Sequence, residues 1–155
     1  MSVFLDTSVL LAGMIDFGPQ SAPAQSLLHA VTEGPVPAPA TAWHCCLEFF
    51  SVATRLPPEF RLLPGDALTL LEQEVFAKIA VHDLPANDRL PMLRAAVHDS
   101  IAGGRIYDAD IAETARAAHA TVIVTDNRRH FLSALRFDVR VETPAEYLAV
   151  LKRSK

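Results

Sequence analysis

Val3-Phe4-Leu5-Asp6-Thr7-Ser8-Val9-Leu10-Leu11 sets a short apolar run against a polar triplet and then resumes the apolar pattern. The run reads as a buried strand tipped by a carboxylate, with Thr7 or Ser8 capping a helix that continues to about Ile15. Far downstream, Thr121 to Thr125 has the same form and ends in Asp126 and Asn127. Val122, Ile123 and Val124 are β-branched throughout, as in a parallel strand covered on both faces. Parallel α/β sheets place ligands beyond the carboxyl ends of their strands, so two acid-tipped strands at opposite ends of one chain imply a shared site.

Between these strands the pattern alternates helices with short strands. A helix is expected over Pro23 to Thr32, stopped by Gly34 and Pro35, followed by a two- or three-residue strand centred on Val36. From Thr41 to about Leu56, Trp43, Cys46, Leu47, Phe50 and Ala53 recur at helical spacing, and His44, Glu48, Ser51 and Arg55 fall on the opposite stripe. Further helices are expected over Pro64 to Ala77, Asp88 to Ile101 and Asp108 to His119, with a short strand at Ile79 to Val81. A helical turn at Phe131 to Leu135, an edge strand at Val139 to Val141 and a helix capped by Thr143 close the chain. The alternation predicts a three-layer α/β/α sandwich around a mainly parallel sheet of four to five short strands, in a single domain spanning 1–155.

The 155 residues match one domain, and folding at that length buries roughly 68–70% of the unfolded surface. Half the residues are apolar and 21% are charged, which excludes a disordered solvating chain. No stretch approaches the roughly 20 apolar residues of a bilayer span, and Asp6 interrupts what would be the apolar core of a leader, so the chain is read as cytoplasmic. Cys45 and Cys46 are adjacent on a helix, where they neither bridge each other nor, with His44, supply the ligand gap of a zinc site. They are read as buried thiols.

The net charge of −4, from 14 basic and 18 acidic residues, argues against broad adhesion to nucleic acid. Arginines at 128, 129, 136 and 140 still gather near the second acid-tipped strand, and Lys152, Arg153 and Lys155 form a basic tail. Either cluster is also explained as a solvated face.

Asp108, on a helix with Ile111, Ala112 and Ala115 on its face, points inward, as Asp6 and Asp126 do at their strand ends. With Glu48 these acids form a dense negative cluster, which is costly when bare because like charges raise one another's pKa. A divalent cation removes that cost, and hard carboxylate oxygens suit Mg²⁺ or Mn²⁺. Metal-assisted phosphodiester hydrolysis follows from that chemistry. Taken singly, Asp6 and Asp108 are equally explained as helix caps, Asp126 as a turn former and Glu48 as part of a solvated stripe, so the residues alone leave both readings open.

Asp6-Thr7-Ser8-Val9-Leu10, Leu47-Glu48-Phe49-Phe50, Tyr107-Asp108-Ala109-Asp110-Ile111-Ala112 and Val124-Thr125-Asp126-Asn127 with His130-Phe131 occur in this order. Together they resemble the PIN-domain ribonucleases, and within them the VapC-type toxins of prokaryotic toxin–antitoxin pairs. The resemblance runs from residue 3 to about 148. It implies an endoribonuclease dependent on Mg²⁺ or Mn²⁺, with Asp6, Glu48, Asp108 and Asp126 as its catalytic acids and Asp6, Asp108 and Asp126 holding the metal. Thr7, Ser8, Thr125 and Asn127 are then supporting residues, with Asn127 an alternative to Asp126 as the side chain nearest the metal. Arg55, Arg105, Arg128 and Arg129 are the candidates for gripping RNA.

The resemblance also implies a cognate antitoxin and a homodimer. The segment from Pro57 to Asn87 departs from the pattern in its length and its prolines. A non-catalytic RNA-binding or protein-interaction module on the same fold is the alternative function. A phosphatase of the haloacid dehalogenase type is excluded, because it requires an aspartate where Ser8 stands.

Overall fold

A computed structural model describes residues 2–154, apart from the side chains of Ser133, Leu135 and Arg136. The Arg136 side chain and Lys155, both counted above among the basic clusters, therefore lie outside the described residues. Five short strands, β1 (Ser2–Leu5), β2 (Pro39–Ala42), β3 (Ala80–His82), β4 (Ala120–Val124) and β5 (Arg140–Glu142), form one sheet ordered β3-β2-β1-β4-β5. Every pairing is parallel. Among the described residues the α-helices are α1 (Thr7–Met14), α2 (Ala22–Glu33), α3 (Trp43–Ala53), α4 (Pro64–Leu70), α5 (Ala86–His98), α6 (Arg105–Ala117) and α7 (Pro144–Arg153). The result is the three-layer α/β/α architecture that the alternating pattern predicts.

β1 is central because all four of its residues are buried, with Phe4 and Leu5 fully enclosed. An apolar run with no polar face is stable only where helices cover both sides of the sheet. From β1 the chain moves outward through β2 and β3, then returns to add β4 and β5 on the other edge. The order of strands thus reverses beside β1, and the carboxyl ends of β1 and β4 lie side by side at that reversal. In open α/β sheets this is where a crevice forms.

α1 packs on α2, α2 on α7, and α6 on α5 and against β2 and β4. The contact of α1 with α2 is close because Gly13 lacks a side chain; a Cβ there would overlap Leu28. Gly34 ends α2 in the left-handed conformation at φ 94°, as its position after the apolar stripe predicts. Thr143 caps α7 in a reciprocal arrangement with Glu146, whose backbone N–H donates to Thr143 Oγ1 at 3.2 Å.

Two expectations about local structure are corrected. The strand expected around Val36 forms a few residues later, at Pro39–Ala42, between β1 and β3. Val36 is buried in the preceding turn, and Pro39 occupies the first position of the strand, where its missing N–H is tolerated. Thr41, fully buried, completes the strand by donating its hydroxyl to the Leu5 carbonyl at 2.7 Å.

The second correction concerns α3. Its buried face carries Cys45, Cys46, Phe49 and Ala53, whereas Trp43, Leu47 and Phe50 are exposed. The helix is apolar on nearly every side, so its periodicity did not distinguish the core face from the outer one. Both cysteines are free and buried, as expected. No helix among the described residues is long and apolar enough to cross a membrane.

Candidate functional site

Asp6 leaves β1 in extended conformation and begins α1, yet its side chain makes no capping hydrogen bond. Its backbone N–H donates to the Val124 carbonyl at 3.1 Å, which carries the β1–β4 ladder up to the acid. The residue is only 5% exposed. Thr125 and Ser8 both donate hydroxyl hydrogen bonds to Asp6 Oδ2, at 2.8 and 2.9 Å. Burial pushes the Asp6 carboxyl above its ordinary pKa; the hydroxyls of Thr125 and Ser8 and the Thr7 backbone oppose that rise, and the Glu48 charge adds to it.

The same hydroxyls shape the turn after β4. Ser8 Oγ accepts from the Asp126 N–H at 3.0 Å, and Thr125 Oγ1 accepts from the Asn127 N–H at 2.9 Å. Glu48 comes from α3 and is fastened to α1 by the Thr7 hydroxyl, which donates to Glu48 Oε2 at 3.0 Å. One turn earlier on α3, His44 Nε2 stands 3.5 Å from the same oxygen. Asp108 lies in the first turn of α6, inside the helix rather than at its cap, and its Oδ2 is 3.5 Å from His130 Nδ1. Burial also raises the Asp108 pKa, His130 opposes the rise and Glu48 reinforces it. Glu48 is therefore within electrostatic reach of both Asp6 and Asp108.

These groups open onto one cavity of about 770 Å³ at the reversal of strand order. Asp6, Thr7, Ser8, Glu48, Asp108, Arg105, Asn127 and Arg129 line it, so most of the residues expected from the sequence converge there. Thr125 stands behind Asp6 as a fully buried support. Asp126 does not line the cavity; of the two residues in the turn after β4, Asn127 does. Arg55 is exposed beyond the end of α3, and Arg128 pairs with Glu146 at 2.9 Å, so neither joins the lining.

Leu11, Gly104 and His130 also line the cavity, though none was named as a site residue, and His44 stands behind Glu48. The spacing of His44 and Glu48, four apart on one helix, was a signal for that pair. His130 was marked only as part of the motif that follows Asn127, and nothing local marked Leu11 or Gly104.

The donors facing the cavity are hard oxygens from three carboxylates and one amide, the set that suits Mg²⁺ or Mn²⁺. Among the described residues, no group of three or more His, Cys, Asp or Glu is placed to hold an ion by direct ligation alone. The arrangement fits a hydrated divalent ion held through one or two carboxylates, with water completing its shell.

The sequence matches the family model of the PIN domain over residues 2–129. A curated relative, Ribonuclease VapC27 of Mycobacterium tuberculosis, is 36% identical over 90 residues, covering 58% of this chain and 63% of that protein. The chain thus spans less than two thirds of that relative's length. The fold is similar to VapBC-1 from nontypeable Haemophilus influenzae, with TM-score 0.65, 15% identity and 94% of this chain and 99% of the other covered. It is also similar to FitAcB from Neisseria gonorrhoeae, with TM-score 0.61, 19% identity and coverage of 92% and 98%. The match over residues 2–129 takes in β1, α3, α6 and β4, the elements that carry the acids, and by it the chain belongs to the PIN domain family.

Proposed function

We propose that this chain is a metal-dependent endoribonuclease that hydrolyses RNA phosphodiester bonds, acting as the toxin of a type II toxin–antitoxin pair. The observation that carries the reading is the convergence of Asp6, Glu48 and Asp108 from three separate elements on one cavity, with Arg105 and Arg129 at its edge. Asp6 holds the N-cap position of α1 without a side-chain capping hydrogen bond, and Asp108 lies in the first turn of α6 instead of at its cap, so neither carboxylate is taken up in capping its helix. The curated relative's name adds support from the sequence side.

Asp6 and Asp108 are the proposed holders of Mg²⁺ or Mn²⁺, with Asn127 beside them. When bound, the cation supplies Lewis acidity at the phosphate and lowers the pKa of a coordinated water. Glu48, fixed by Thr7 and His44, accepts a proton from the attacking water. Arg105 and Arg129 neutralise the non-bridging phosphate oxygens through charge-assisted hydrogen bonds. One water is consumed: its oxygen bonds to phosphorus, one P–O ester bond breaks, and the departing oxygen takes up a proton. Asp126, outside the lining, helps fix the turn that presents Asn127 through its N–H to Ser8 Oγ.

A single domain over 1–155, a cytoplasmic location, a homodimer and a cognate antitoxin partner belong to the same reading. In vitro, RNA cleavage should vanish in EDTA and return with Mg²⁺ or Mn²⁺; cleavage that persists in chelator would overturn it. In cells, expression without the antitoxin should arrest growth, and Asp6→Asn should relieve the arrest. Equal harmlessness of both forms would favour the non-catalytic module instead.

A further inference from the structure

A second cavity, of about 390 Å³, opens beside the first and shares Arg105, Arg129 and His130 with it. Its other walls are Asp99, Ile101, Ala109 and Leu132, which set three apolar side chains beside the polar ones. Leu132 is 62% exposed, a large apolar side chain held at a cavity mouth instead of in the core. The volume lies within the roughly 300–1,000 Å³ range of ligand pockets. Arg105 and Arg129 form no ion pair among the described residues, so their guanidinium groups are available where the two cavities meet. Arg105 is also the first residue of α6, whose amino end favours an anion.

We propose that this side cavity is a nucleotide subsite of the ribonuclease, receiving the unstacked nucleotide that flanks the scissile phosphate. The inference rests on the RNA reading above and adds what recognises the strand next to the cut. The phosphate lies at the shared wall, against Arg105 and Arg129, and the base turns into the side cavity against Ile101, Ala109 and Leu132. Asp99 also lines the cavity, with its Oδ1 3.4 Å from His98 Nδ1. The apolar side chains of Ile101, Ala109 and Leu132 favour the base as the group that enters. Single-stranded RNA is commonly gripped with its bases unstacked against side chains and its phosphates against basic groups.

The test combines binding without catalysis and cleavage with it. In EDTA, titration of the whole protein with AMP, GMP, CMP and UMP should move the methyl resonances of Ile101 and Leu132, and Leu132→Ala should weaken that binding. In Mg²⁺, Leu132→Ala should raise KM for a single-stranded oligoribonucleotide about tenfold, equivalent to about 1.4 kcal/mol, with kcat nearly unchanged. The preference for the nucleotide beside the cut should relax. Ala109→Leu, which fills the same space, should act in the same direction, and the melting temperature of each variant reports its folding. If the wild type cleaves RNA but no mononucleotide moves these methyls and neither variant changes KM or preference, the subsite is refuted and the nuclease stands. If mononucleotides bind at these methyls but no RNA is cut with either metal, the subsite stands as a nucleotide site and the nuclease reading fails.

Discussion

The Thr125 hydroxyl donates to Asp6 Oδ2 at 2.8 Å, joining residues 119 positions apart, and the same Oγ1 accepts the Asn127 N–H at 2.9 Å. One buried side chain therefore orients the first acid of the cavity and Asn127 in the turn after β4. The coupling works because β1 and β4 are parallel neighbours, with Leu5 opposite Val124.

Removing that hydroxyl while keeping the shape, in Thr125→Val, should weaken Mn²⁺ binding and RNA cleavage by about 10–100-fold, the usual cost of losing a residue that orients a metal-binding side chain. Isothermal titration with Mn²⁺ measures the first effect. Wild-type affinity in the variant would show that the hydroxyl positions nothing.

The raised pKa of Asp6 makes the metal-free protein sensitive to alkali. A carboxyl whose folded pKa lies above its unfolded value contributes stability that is fully present below the unfolded pKa and is lost as pH rises through the folded one. Asp108 is shifted the same way. In EDTA, the wild-type melting temperature should therefore fall as pH rises above the ordinary carboxylate range. Asp6→Asn should be the more stable form at neutral pH, by roughly 2–4 °C for each kcal/mol relieved. Melting curves from pH 4 to 8 decide the matter, and a flat wild-type profile would contradict it. Saturating Mg²⁺ should raise the wild-type melting temperature more than that of the variant.

Asp126 and Asn127 make a direct comparison. Asn127→Ala should lower cleavage by about 10–100-fold, whereas Asp126→Asn, which keeps the backbone N–H that Ser8 accepts, should cleave nearly as the wild type does. Initial rates under saturating Mg²⁺ separate the two, and the reverse ranking would place Asp126 at the metal.

The arginines divide in the same manner. Arg105→Ala or Arg129→Ala should reduce the slope of log affinity against log salt by about 0.7 for each phosphate of the single strand that the missing guanidinium no longer neutralises. Arg55→Ala and Arg128→Ala should leave it unchanged, since one is remote from the cavity and the other is committed to Glu146. RNA binding across a salt series, without divalent ions, gives the slopes.

The elements were legible where local chemistry was decisive. The β-branched run at Val122 to Val124, the apolar run before Asp6, Gly34 after α2 and the Thr143 cap each have one favourable conformation, and each forms. The pattern was ambiguous where apolar residues surround a helix or where proline and small residues make up a strand. Hence the core face of α3 and the position of β2 both departed from expectation. β2 is held by the strands on either side of it and by the bond from Thr41 to Leu5, neither of which is visible within Pro39–Ala42.

The sequence by itself determined the alternation of strands and helices, the burial of β1 and β4, and the identity of the acids that could meet. The tertiary structure alone decided which of them face the cavity. Asp126 and Asn127 are adjacent, and a chain that has left its strand can turn either one inward. Here the choice falls to hydroxyls from Ser8 and Thr125, which hold both backbone N–H groups of the turn. Arg128 and Arg129 likewise differ only in what lies nearby: Glu146 from α7 captures the first, and the second is left at the cavity. Such outcomes depend on packing between elements far apart in the chain, and residue type and spacing do not encode them locally.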